Sequence, residues 1–470
     1  MNSFSRGIFS SVLMRWSVKF IGVFNTMILA RILMPEDFGL VAMAAIFIAL
    51  IEELSTVNIA LLLIRKTGDV NNAANTAWTV SIIQGGIVAI LLCLLAPLAV
   101  DFFSEERISE IIYFMAGIKV ISGFKNIGVI LARKEFNFFL DYKFMVYSRL
   151  ATFFGVMSFV YFIRDYRAII YGNLLGEFFT LLISYIIHPF RPRLSKENIF
   201  EYLKFSLNMI PYSIGRLLNN KLDVIVVGKF SNASVTGAYN ICNELAYMFT
   251  KEMLMPILRG MYPNLTKVSS DRKEFNRIFI NTYSFTLAIC FPIVIVIWFY
   301  SKDIVFLLLG EKWIENHEYL RYLSIYGGLS SIIMVISEQT LIAIGMESKA
   351  NRLMWFRVVL LSLGVYIGYE AYGILGMMQA MIFFSFLSLF FISLNVFSIL
   401  KINKLFFLKD LLRISFSSFI MVICVYWFSG FKYIYFNYYV NQLLVVVLSS
   451  SIYAFSIYIF WVLSGKPQRF

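Results

Sequence analysis

The stretch from Ser10 to Gly22, SSVLMRWSVKFIG, places Arg15 and Lys19 one helical turn apart inside an otherwise apolar segment. With Ser11, Gly22 and Thr26 they form a polar stripe at helical spacing. The theme recurs where Tyr212, Arg216, Asn219, Asn220 and Asp223 fall on one helical face, with Pro211 and Gly215 available to bend it. Guanidinium and ammonium groups in such places can give charge-assisted hydrogen bonds to an anion that has left water. A cation at a bilayer centre costs roughly 2.5 to 3.5 kcal/mol on insertion-derived scales, so each is a functional candidate unless it snorkels to the interface or pairs with a carboxylate. Arg15, Lys19, Arg216 and Lys221 form the first tier of candidate anion contacts, and Arg149, Lys119 and Lys125 the second. Acids also sit in apolar segments: Glu52, Glu53, Glu177, Asp223, Glu244 and Glu338, with Asn240, Glu244, Tyr247 and Lys251 aligned on one face. They read as counter-ions to the cations, or as sites for a coupling proton or Na⁺. Cys93, Cys242, Cys290 and Cys424 lack metal-ligand spacing and read as small buried hydrophobes. His188 and His317 have no ligand-spaced partners and read as surface residues, so no metal or cofactor is expected.

The elements that must carry these residues follow from composition. Of 470 residues 60% are hydrophobic and only 15% charged, which excludes a soluble globular chain. Apolar runs of about 20 residues, enough to cross a hydrocarbon layer, fall near 8-31, 38-63, 77-100, 111-131, 143-163, 167-187, 203-228, 234-256, 277-300, 319-344, 353-370, 374-399, 411-429 and 440-463, about fourteen spans. Lipid cannot satisfy bare backbone groups and the alternation of an outer-membrane barrel is missing, so the expected fold is an all-α integral membrane protein. The first span lacks the pattern of a cleaved secretory peptide and is expected to stay.

Cations cluster after the even-numbered spans, as in Arg65 and Lys66, Arg133 and Lys134, or Arg191, Arg193 and Lys196, whereas odd loops carry acids such as Asp101, Glu105, Asp303 and Glu311. The positive-inside rule then puts both termini in the cytoplasm. The same loops account for the net charge of +13 without a nucleic-acid partner. Aromatics make up 17% of the chain, and Tyr433 to Tyr439 (YIYFNYY) reads as part of a membrane-interface belt.

A repeat runs across the chain. ARILMPEDFGLVAMAAIF echoes in GKFSNASVTGAYNICNELAYMF, with Gly39 and Gly237 in matching places. APLAVDFFSEE around Asp101 echoes in IWFYSKDIVF around Asp303, and the stretch Ala168 to Phe179 in Ala371 to Phe384. Two six-helix bundles, residues 1-200 and 201-402, are expected in a parallel repeat about an axis along the membrane normal, with 403-470 adding two helices. In that arrangement spans 1 and 7 are equivalent and their cationic stripes meet at a central cleft.

The element ARILMPEDFGLVAMA, the spans, the duplicated half and the basic loops together resemble the polysaccharide transporter family of the multidrug/oligosaccharidyl-lipid/polysaccharide flippase superfamily. That group includes O-antigen flippases of the Wzx type and colanic-acid or teichuronic-acid exporters. Arg31, Pro35, Glu36, Asp37 and Gly39 carry the signature turn. The resemblance implies a bacterial inner-membrane flippase for an undecaprenyl-diphosphate-linked sugar repeat unit, working by alternating access, in contact with membrane lipid and with polysaccharide polymerase machinery. The cations would then meet the diphosphate headgroup. With the cell interior negative, outward movement of an anion gains about 2.3 kcal/mol per charge per 100 mV, so a coupling ion is not required. Two alternatives stay open. A cation-coupled drug exporter of the same superfamily would normally have twelve helices and favour an acidic pocket; the cationic stripes and two extra helices argue against it. Against a polymerase or ligase argue the short outer loops without a D-x-D pair.

Overall fold

Apolar runs whose backbone groups find no water close their hydrogen bonds within the segment. The computed structural model describes residues 3–55, 63, 70–135, 137–197, 199–255, 265–268, 271–402, 404–429 and 438–463, and these hold helices and no strand. In chain order they are α1 (Ser3–Ile32), α2 (Pro35–Ser55), α3 (Val70–Phe103), α4 (Arg107–Gly123), α5 (Gly128–Lys134), α6 (Phe138–Val160), α7 (Tyr166–Ile187), α8 (Ile199–Phe230), α9 (Ala233–Tyr247), α10 (Arg272–Leu309), α11 (His317–Met334), α12 (Thr340–Ala343), α13 (Glu347–Leu400), α14 (Lys404–Ser429) and α15 (Tyr438–Leu463). Among the described residues eight helices are long and apolar enough to cross a membrane, or nine if the bent pair α4 and α5 is one span. The chain is a multi-pass membrane protein. The polar segments 8-31 and 203-228, which carry the two stripes, lie within α1 and α8.

The expected spans 353-370 and 374-399 are the two arms of α13. At 54 residues that element would be about 80 Å long if straight, more than twice a hydrocarbon core. It breaks at Tyr372 and at Gly373, whose φ of +61° a side chain would resist. Beyond the break Gly376 turns back onto Gly368, so the arms pack as a hairpin. Two π turns, Met248–Glu252 after α9 and Val335–Gln339 between α11 and α12, each insert a residue into the helical register. Lys251 lies in the first of them, its ammonium 5.3 Å from the centre of the Tyr247 ring.

Two compact units result. One comprises Met1–Ile241 with Phe306–Ile314, the other Cys242–Val305 with Glu315–Phe470. The second is built around a buried cluster in which Phe279 stacks on Tyr283 (6.3 Å) and meets Phe397 edge-on (6.2 Å).

The first unit is organised by the turn between α1 and α2. Pro35 opens α2 where its missing N–H costs nothing. Asp37 caps two helices: one carboxylate oxygen accepts the Met34 N–H at 2.9 Å, and the other accepts the Tyr166 N–H at the start of α7, also at 2.9 Å. Glu36 accepts a 2.6 Å bond from Arg107, which also gives Glu105 bonds of 2.7 and 2.9 Å and so holds that carboxyl below its usual range. Phe306–Ile314 completes the turn: Trp313, fully buried, donates its indole N–H to the Ala30 carbonyl (2.8 Å) and sets its ring edge-on to Phe38 at 5.4 Å. Arg31 donates to the Leu307 carbonyl at 2.7 Å.

Gly39 and Gly237 mark where α2 and α9 cross. A Cβ on Gly39 would overlap the Ala233 carbonyl, and one on Gly237 would overlap the Pro35 carbonyl. Neither neighbour is a side chain that could swing away. Gly39→Ala and Gly237→Ala are each expected to destabilise the protein by at least about 3 kcal/mol, read as loss of monodisperse protein and of thermal stability in detergent. Gly86→Ala, where the new Cβ has nothing within 4 Å, should leave both unchanged or slightly improved.

Candidate functional site

Glu52 and Glu53 lie near the C-terminal end of α2. Being consecutive, they point about 100° apart around the helix and so reach different neighbours. Glu52 pairs with Lys119 of α4. Glu53 accepts bonds of 2.6 and 2.9 Å from Arg216 of α8. Both acids line a cavity of about 420 Å³ whose other polar walls are Lys119, Ser81, Gln84 and Ser122. The backbones of α3 and α4 come together behind it at Gly85 and Gly123, where a Cβ would stand 2.6 Å from the Lys119 carbonyl or 2.9 Å from that of Ser81. This close approach fixes the root of the Lys119 side chain. Arg216 remains 51% exposed while bound to Glu53, itself 22% exposed, so the cation is held yet open to a second ligand. Two cations and two carboxylates balance at this place.

Of the residues singled out in the sequence, the structure gathers Lys119, Arg216, Glu52 and Glu53 here. Lys125 forms a separate pair with Glu177 of α7 at 2.7 Å. Asp223 does not meet Arg216, although the two share a helix face in the sequence; it is buried and accepts a 2.9 Å bond from the Tyr239 hydroxyl. Lys221 is half-buried on α8, while Lys19 on α1 and Arg149 on α6 are exposed. Glu244 on α9 is exposed and Glu338 lies half-buried in the second π turn, both within the second unit. The side chain of Arg15, together with Arg65, Lys66 and Tyr433 to Asn437, lies outside the described residues.

His188 and two of the four cysteines behave differently from their sequence reading. His188, expected at the surface, is half-buried with its ring against Gly128; it accepts the Phe190 N–H at 3.2 Å, and burial pulls its pKa down. Asn126 ties the same segment down through the His188 and Phe190 carbonyls, at 3.3 and 2.7 Å. The four cysteines are free thiols, but only Cys242 and Cys290 are buried; Cys93 is exposed.

Arg357 escaped the sequence reading because it sits close behind Lys349 and Arg352 and so merges with a basic loop. It is buried within α13, gives a 2.6 Å bond to the Ser330 hydroxyl of α11, and leaves its Nε unpaired. Among the described residues no carboxylate pairs with it. A signal was available, since Arg357 is the one cation within the expected span 353-370.

The described residues form a multi-pass helical protein with charge pairs around a polar cavity, and solved structures share its fold. The structure is similar to that of a lipid II flippase MurJ in an inward closed conformation, with a TM-score of 0.75 at 17% identity, covering 97% of this chain and 99% of that one. It is less similar to a MATE transporter of Vibrio cholerae, VcmN, in the bent form (TM-score 0.53, 13% identity, 84% and 98% covered). The chain belongs to the polysaccharide biosynthesis protein family, whose profile matches residues 28–318. Related sequences include the lipopolysaccharide biosynthesis protein WzxC of Escherichia coli (strain K12), 23% identical over 66% of this chain and 64% of the relative. Another is the teichuronic acid biosynthesis protein TuaB of Bacillus subtilis (strain 168), 19% identical over 64% of this chain and 63% of the relative. The chain thus spans less than two thirds of the length of these two proteins.

The Arg357 environment makes a signed expectation. Ser330→Ala removes a hydrogen bond to a buried charge and should lower thermal stability in detergent by about 1.5 to 3 kcal/mol. Arg357→Met removes the uncompensated charge itself and should leave stability equal or higher.

Proposed function

We propose that this chain is a flippase that carries an undecaprenyl-diphosphate-linked oligosaccharide, an O-antigen or exopolysaccharide repeat unit, from the cytoplasmic to the outer leaflet of the bacterial inner membrane by alternating access. The observation that carries the reading is that two cations on different helices, Lys119 and Arg216, are held by the adjacent carboxylates Glu52 and Glu53 at a polar cavity of a multi-pass helical chain. An anionic headgroup crossing the oily layer needs charge-assisted donors at that moment, and these groups supply them. Each of the two carboxylates on the cavity wall is matched by a cation, Glu52 by Lys119 on the same wall and Glu53 by Arg216 beside it.

In this reading Arg15, Lys19, Arg216, Lys221, Arg149, Lys119 and Lys125 serve the headgroup in the course of transport, and Glu52, Asp223, Glu244 and Glu338 act as counter-ions or hold a coupling ion. The bundles 1-200 and 201-402 move against each other as matched halves of about fourteen spans, with both termini in the cytoplasm. The mutual contact of Gly39 with Ala233 and of Gly237 with Pro35, at one register offset, supports a two-fold relation. Membrane lipid surrounds the carrier and polymerase machinery receives its product. The names of the relatives, in lipopolysaccharide and teichuronic acid biosynthesis, and the lipid II flippase among similar folds support a lipid-linked sugar as cargo.

Surface polysaccharide measured in a strain lacking the native protein tests this. Arg216→Ala and Arg15→Ala should each cut the restored polymer by about tenfold or more at equal protein level, the effect expected from roughly 1.4 kcal/mol of lost headgroup binding. Full restoration by both variants would remove the headgroup assignment.

A further inference from the structure

Glu52 and Glu53, both on the cavity wall, occupy one cation of that wall, Lys119, and one beside it, Arg216, and their arrangement does more than neutralise them. Lys125 and Glu177 pair elsewhere in the same unit without lining the cavity, so charge balance alone does not require both acids to face it. The two carboxylates stand on consecutive residues and take one cation from α4 and one from α8. A ligand with two linked acidic groups matches what they replace in number and in sign. Arg216 keeps half of its surface open while bound, so exchange of one anion for another needs no prior opening of the pair. The neutral donors Ser81, Gln84 and Ser122 remain on the walls to complete the shell of an incoming phosphate.

We propose that Glu52 and Glu53 are built-in occupants of a diphosphate site, which the headgroup must displace to bind and which expel it by taking Lys119 and Arg216 back. The inference rests on reading the chain as a carrier of a diphosphate-linked lipid. While the headgroup is bound, the two displaced carboxylates stand beside a multiply charged anion, and like charges at that range repel. Return of each carboxylate to its cation then accompanies departure. Affinity is kept low by design of the site, and release is quick. A carrier that held its cations bare would bind such an anion tightly and let it go slowly.

The experiment uses the full chain in nanodiscs of zwitterionic lipid, with three probes: undecaprenyl diphosphate, inorganic pyrophosphate and phosphatidylglycerol. The double variant Glu52→Gln with Glu53→Gln keeps side-chain shape and should bind undecaprenyl diphosphate at least about tenfold more tightly than the native chain. The same variant should restore less surface polysaccharide in cells, because release is slowed. Arg216→Gln in the same assay should weaken binding. Tightening towards pyrophosphate as well as the lipid supports a site that reads the diphosphate itself, and tightening towards the lipid alone supports a site that also uses the chain. Tightening only towards phosphatidylglycerol overturns the proposal. If the native chain binds undecaprenyl diphosphate and the double variant binds it equally or more weakly, the acids are structural and the inference fails while the flippase reading stands. If neither binds it, both fail. Should the double variant not assemble, Glu52→Gln and Glu53→Gln singly carry the same comparison, each with a smaller gain.

Discussion

Everything described for the first unit depends on two backbones touching at Gly39 and Gly237. Without side chains there, the start of α2 can lie against the start of α9, and the carbonyls of Pro35 and Ala233 fill the space a methyl group would take. That contact, with the Asp37 caps and the Glu36 to Arg107 bond, fixes where α2 begins and which way it runs. Glu53 lies fourteen residues beyond Gly39, about 20 Å along the helix. A small change of angle at the turn therefore becomes a displacement of ångströms where the carboxylates meet Lys119 and Arg216. The signature turn and the charged cavity are two ends of one lever.

Internal charge in this protein comes mostly in pairs. Glu52 with Lys119, Glu53 with Arg216 and Lys125 with Glu177 each join residues of different helices, so each pair also selects which helices stand together. Such pairs contribute little net stability against an apolar replacement, because both partners must leave water. Arg357 departs from this pattern, a buried guanidinium bonded to the Ser330 hydroxyl.

Much of this was legible in the sequence. Apolar runs pointed to the all-helical class, and the R-x-L-x-P-E-D-F-G stretch marked a structural turn, at which the structure shows the Asp37 caps and the Gly39 contact. Lys119, Arg216 and Glu52 stood out because charge is rare in their segments. Partner choice was not legible: Arg216 meets Glu53 across 163 residues, while Asp223, two turns away on its own helix, turns to Tyr239 instead. Helical periodicity gives the face a residue shares, not the neighbour that face will find. The π turns were hidden for the same reason, since an inserted residue changes register without changing composition. His188 looked like a surface residue because the sequence carries no mark of Asn126 and Gly128 packing against it.

The placement of Phe306–Ile314 bears on how the molecule is made. Those residues pack with the first unit although the chain on either side belongs to the second. The ribosome therefore finishes Ile241 and must add more than sixty further residues before Trp313 can fill its place beside Ala30 and Phe38. At ordinary synthesis speeds that is a delay on the order of several seconds. Through that interval the earlier part of the nascent polypeptide waits with an indole-sized socket unfilled, so its maturation cannot be completed in simple N-to-C order.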